Sequence, residues 1–91
     1  MKTFIFSIND STVSDESIFD FLDSKPEVLN WMSVLPDTIF LTSNTTVEKL
    51  TQIFSRKFPN AFFLVHEYDT TRANGALTDE TWDFLNNPES A

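Results

Sequence analysis

The sequence predicts a small α/β sandwich: strands and helices in the order β-α-β-α-β, both helices on one face of an antiparallel or mixed sheet, and a short helix at the C-terminal end. Three observations carry that reading. The 91 residues amount to one domain, 1–91. Three short runs rich in Phe, Ile and Val alternate with two stretches whose apolar residues recur at helical spacing. Each helical stretch also opens on a side chain able to cap it.

The elements follow in order. Thr3–Ile8 is apolar on both faces, as befits a central strand covered on at least one side, and Asn9-Asp10-Ser11 closes it. Ser14 caps a first helix with Asp15 and Glu16 in its first turn. Ile18, Phe21 and Leu22 share one face of that helix, with Phe19 at its flank. Ser24-Lys25-Pro26-Glu27 has capping-box spacing, so a second short helix, or a bend at Pro26, is expected, with Val28, Leu29, Trp31 and Met32 as its apolar side. Leu35-Pro36-Asp37 breaks the chain before a second strand, Thr38–Thr42. Thr45-Thr46-Val47-Glu48 is another capping box. It opens a helix whose Val47, Leu50, Phe54 and Phe58 form a stripe, with Ile53 alongside, until Pro59-Asn60. Ala61–His66 is the third strand. Thr70–Leu77 holds a turn at Asn74-Gly75 and a short edge strand. Thr78 caps the last helix, with Trp82 and Leu85 facing inward. A strand-like piece flanking the third strand would give a ferredoxin-like pattern. Without one, the last helix closes a three-stranded sheet.

Composition narrows the chemistry. No cysteine is present, so disulfides, thiolate metal sites and cysteine nucleophiles are excluded. One glycine, Gly75, cannot build a phosphate-cradling loop, and one histidine, His66, cannot build a multi-histidine metal site. No cofactor is implied. Fourteen acids against six bases give a formal charge of −8. Nucleic acid and anionic membranes are poor partners for such a polyanion, whereas basic protein surfaces suit it. No apolar run approaches the roughly 20 residues of a membrane span. The opening Met1–Asp10 lacks the long apolar core and small-residue cleavage site of a signal peptide. It reads as the first strand of a cytoplasmic protein.

The opening Met1-Lys2-Thr3-Phe4-Ile5-Phe6-Ser7-Ile8, Trp31 ahead of Ile39-Phe40-Leu41-Thr42-Ser43, and the tail Asn74-Gly75-Ala76-Leu77 before Trp82-Asp83-Phe84-Leu85 together resemble the SinR-like small proteins. Those are in turn similar to the CRISPR adaptation nucleases and the VapD ribonucleases. The resemblance implies a ferredoxin-like fold and a homodimer paired through sheet edges. In the adaptation nucleases an aspartate ending the first strand is the proposed metal ligand. Asp10 is the matching carboxylate here, which makes a metal-dependent ribonuclease the alternative function. A single aspartate per subunit is a poor magnesium site, and Asn-Asp-Ser after a strand is ordinary turn chemistry.

The acids are not evenly spread. At about 100° per residue, Glu16, Asp20, Asp23 and Glu27 lie within about 60° of one another, opposite Ile18, Phe21 and Leu22. Spaced roughly 5.5 Å apart along a continuous helix, they are too sparse to copy a DNA duplex, with its charge every ~1.7 Å. They read as a recognition face for a basic partner, as a solvated face, or as an incidental cation site. Lys49, Arg56 and Lys57 sit on the second long helix beside it, a patch too small to hold nucleic acid. His66 ends an apolar strand with no nucleophile nearby in sequence. Trp31 and Trp82 read as core or rim aromatics, and Trp82 joins the four acids as a candidate partner contact. Ten phenylalanines in so short a chain point to uncovered aromatic surface and hence a homodimer. The expectation is a small acidic protein-binding module with no catalytic residues. In its most concrete form it is an inhibitor, of phage or plasmid type, that occludes a nucleic-acid-binding or defence enzyme.

Overall fold

β1 (Lys2–Asn9) lies at the centre of the sheet, and its sequence explains the position. Phe4, Phe6 and Ile8 are buried on one face, while Ile5 packs on the other. A strand apolar on both sides is stable only when both sides are covered. In the computed structural model, which describes residues 1–9 and 13–87, the remaining elements supply that cover. They are α1 (Asp15–Ser24), β2 (Asn30–Leu35), β3 (Thr38–Ser43), α2 (Val47–Lys57), β4 (Phe62–Glu67) and α3 (Asp79–Asn86). Asp10, the carboxylate matched to the adaptation nucleases, and its neighbour Ser11 lie outside the described residues.

The sheet is four-stranded and antiparallel throughout, in the order β2-β3-β1-β4. β1 and β2 therefore run parallel, with β3 between them. α1 and α2 lie on one face, as expected. Ile18, Phe21 and Leu22 of α1 and Leu50, Ile53 and Phe54 of α2 close over Phe4, Phe6, Ile39, Leu41 and Val65. The centre of this core is aromatic: Phe6 stacks on Phe54 at 4.2 Å, and Phe21 meets Phe58 edge-on at 5.5 Å. α3 covers the opposite face, where Phe84 and Leu85 pack on Phe40 of β3. There the Thr3 hydroxyl donates to the Leu85 carbonyl at 3.1 Å, tying the first strand to the last helix.

Caps set the helix starts. Ser14 and Thr78 accept from the backbone N–H groups of Ser17 and Thr81, as their sequences predict. At α2 the cap is one residue later than the capping box suggests. Thr46 takes the Lys49 N–H, while the Thr45 N–H donates to Ser43 Oγ.

Two expectations are corrected. Residues 30–35 form β2, not part of a second short helix. Pro26 disfavours helical backbone at the residue before it: Lys25 is extended (φ −100°, ψ 122°) and α1 stops at Ser24. Beyond that stop, Trp31 packs toward the helix face and Met32 toward the α3 face. A strand apolar on both sides mimics the i, i+3, i+4 spacing of a helix. Residues 70–77 form no strand, so the fourth strand comes from the middle of the chain and not from its end.

β2 and β3 join through Pro36-Asp37, with Leu35 opposite Thr38. Pro36 presets its own φ, and Asp37 takes a positive φ of 57°, tolerable for Asp but costly for branched side chains. Asp37→Val should lose about 1–2 kcal/mol in urea unfolding. Asp37→Gly should stay within about 1 kcal/mol of the parent, because relief of Cβ crowding is offset by the larger entropy of glycine in the unfolded chain.

Candidate functional site

Three surfaces carry chemistry. The first is the outer face of α1. Glu16, Asp20 and Asp23 share it and are exposed. Glu16 and Asp20 flank a shallow concavity with Ser17, Ser24 and Lys57. Lys57 Nζ lies 6.0 Å from the centre of the Phe21 ring and Lys25 Nζ 5.3 Å from it, so two cations flank the base of the acidic face. Asp23 is tied to the sheet: its Oδ1 accepts from the Trp31 indole N–H at 2.7 Å, and Trp31 stacks on Phe19 at 4.8 Å. Glu27 does not belong to this face, because α1 ends before it. It sits half-buried in the following turn, near Leu29, Asn44 and Thr45. The expected line of four carboxylates is therefore three on a helix and one beyond its end.

The second surface is the outer edge formed by β4. Tyr68 donates its N–H to the Thr3 carbonyl at 2.8 Å, which fixes the hydrogen-bonding parity of the strand. In an antiparallel ladder opposed residues alternate between bonded and non-bonded pairs. Phe62, Leu64 and His66 thus bond toward β1, and Phe63, Val65 and Glu67 present their N–H and C=O groups outward. Phe62 and Leu64 stand on the face that α3 occupies farther along, but beyond its reach: they are 86% and 61% exposed. Ser7, Asn9 and Thr38 border them. No Asp, Glu, Lys or Arg occurs from Phe58 to His66. Charge resumes at Glu67, which pairs with Lys2 at 3.3 Å. His66 is exposed beside Leu64 on the same face.

The third surface is an apolar groove of about 330 Å³ on the α3 side, lined by Ile5, Phe40, Tyr68, Leu77 and Trp82. Trp82 is half-buried in its wall. Tyr68 donates its hydroxyl hydrogen to Asn86 Oδ1 at 3.1 Å. Partial burial, and then the charge of Asp69, raise the pKa of its phenol above the usual value. Asp69 opens the loop over the groove, accepting from the Thr71 hydroxyl at 2.7 Å and the Thr71 N–H at 2.9 Å. Those bonds, the hydroxyl's first, lower its carboxyl pKa. Arg72 Nε lies 3.6 Å from the other carboxylate oxygen.

Sequence reasoning read Trp82 as a core or rim aromatic and a candidate partner contact, and it missed Phe62 and Leu64. A run of four apolar residues reads as a buried strand, and its bare side follows only from where α3 stops. Among the described residues no three His, Asp or Glu side chains converge to hold a metal ion, and no helix is long and apolar enough to cross a membrane. No protein-family model matches the chain, nor does any curated protein or solved structure.

Proposed function

We propose that this chain is a small acidic protein-binding module of ferredoxin-like, SinR-like architecture that acts by occupying a partner's surface. The element order β-α-β-β-α-β and the sheet order β2-β3-β1-β4 support the architecture, two split β-α-β units packed together. The observation that carries the function is the bare edge of β4. An unpaired strand presenting Phe62 and Leu64 to water is a liability in isolation and a docking strip in a complex. The acidic face of α1 gives the module a long-range preference for basic surfaces, the kind nucleic-acid-binding and defence enzymes expose, and occlusion of such an enzyme is its most concrete role.

The test is capture of partners from native lysate by the parent chain and by two variants. Phe62→Asp should abolish retention of a specific partner. Glu16→Lys with Asp20→Lys, which leaves the Asp23–Trp31 bond intact, should slow association, and the difference from the parent should shrink as salt shortens the screening length. Retention unchanged in both variants would overturn the reading. Mg²⁺-dependent cleavage of labelled RNA by the purified chain would replace it with the ribonuclease alternative.

A further inference from the structure

Asn74 and Gly75 lie in the loop between β4 and α3, in a stretch without helix or strand, and both are exposed. The Gly75 N–H donates to Asn74 Oδ1 at 2.8 Å, so the side-chain amide is folded back against the peptide nitrogen that follows it. A Cβ at Gly75 would meet nothing within 4 Å, and no helix or strand hydrogen-bonding ladder holds the backbone of either residue. Elsewhere the molecule holds a natural comparison. The Trp31 N–H donates to Asn30 Oδ1 at 2.9 Å, nearly the same local contact. Asn30, however, is paired with Thr42 in the sheet, and its successor Trp31 is fixed by its stack on Phe19 and its bond to Asp23.

We propose that Asn74-Gly75 is a self-modifying site at which the chain deamidates without an enzyme. The Gly75 backbone nitrogen attacks Asn74 Cγ, and the new N–C bond closes a five-membered succinimide. The Cγ–Nδ2 bond breaks, and ammonia leaves with the proton that the backbone nitrogen gives up. One water then opens the ring. Attack at the former side-chain carbonyl gives aspartate, and attack at the main-chain carbonyl gives isoaspartate, with the backbone rerouted through one more methylene. The sum is amide plus water to carboxylate plus ammonium, with no oxidant or reductant.

Folding selects this site because ring closure needs two things that a β-strand denies: rotation of the asparagine backbone and close approach of the next nitrogen. The loop that holds Asn74 and Gly75 also borders the apolar groove over Ile5, Phe40 and Trp82. The new carboxylate therefore appears on the groove's rim, two residues from Arg72. One neutral amide becomes one anion, taking the formal charge from −8 to −9. This site needs no partner, so it stands independently of the binding reading above.

The experiment holds the folded chain in warm, mildly alkaline buffer and follows its proteolytic peptides by mass and by isoaspartyl methyltransferase labelling. The expected result is the mass gain of an amide-to-acid exchange in the peptide containing Asn74, with isoaspartate the larger product, and an unchanged peptide around Asn30. Gly75→Val should slow the conversion about tenfold or more, equivalent to about 1.4 kcal/mol on the barrier. Asn74→Gln should stop it on the same timescale. Gly75 has open space and no positive φ, so the valine variant should keep the parent's circular dichroism. The proposal is overturned if Asn74 stays intact in the folded chain while the urea-unfolded chain converts. It is equally overturned if Asn30 converts as fast, or if Gly75→Val converts at the parent's rate.

Discussion

Phe54→Ala should cost about 3–5 kcal/mol of folding stability, the range for deleting a buried aromatic side chain. For a chain of this length that is a fifth or more of an ordinary stability of ~5–15 kcal/mol. The ring is fully buried. It stacks on Phe6 at 4.2 Å and meets Phe21 and Phe63 edge-on at 6.0 and 6.3 Å, so its removal empties a space walled by α1, β1 and β4 together. No single neighbour can move in to fill it without leaving another contact. Urea unfolding is the measurement. A loss below about 1 kcal/mol would mean that this cluster tolerates collapse, contrary to its packing.

Phe62→Asp should leave the fold intact and abolish self-association. The parent chain should sediment at micromolar concentration as a species heavier than its 10.5 kDa, because β4 can pair with its copy about a two-fold axis at Leu64. In that register Leu64 faces Leu64 of the second copy and Phe62 faces its His66, while the outward N–H and C=O groups of Phe63 and Val65 bond across. The uncharged run Phe58–His66 is where two molecules of charge −8 can meet without opposing like charges. An aspartate at 62 would place two carboxylates in that strip, one from each copy, and desolvate both. The side chain it replaces is 86% exposed in the single chain, so the thermal midpoint of the variant should hold. A monomeric parent, or an undiminished dimer in the variant, would each rule out this edge.

What could be read from sequence was what is decided locally. The α2 stripe of Leu50, Ile53 and Phe54 and the caps at Ser14 and Thr78 follow from residues within a turn or two of each other, and they stand where expected. β2 was lost because Trp31 and Met32 serve two different cores, which hides the alternation by which strands are recognised. The effect of Pro26 on Lys25 was the available signal, and it points to a stop, not a bend. The acidic face inherited the same fault: Glu27 was carried onto it by a helix that had already ended. The exposure of Phe62 and Leu64 depends on the reach of α3, which no residue near them specifies.

The bond from Thr3 to Leu85 spans 82 positions of sequence, and it bears on the order of synthesis. β1 leaves the ribosome before every element that pairs with it or covers it. Its neighbour β3 begins only at Thr38, its other neighbour β4 at Phe62, and the helix that covers its second face at Asp79. At about 5–20 residues per second, the Ile5 face of the strand waits several seconds for α3 to cover it. α1 and α2 can close over Phe4 and Phe6 as soon as they emerge, but the face of Ile5 stays bare until α3 brings Phe84 and Leu85. The nascent chain thus keeps one apolar face of its sheet open to water until α3 emerges. Its acidic face, α1, is by then long formed in sequence, and the like charge it shares with neighbouring nascent copies keeps their unfinished strands apart.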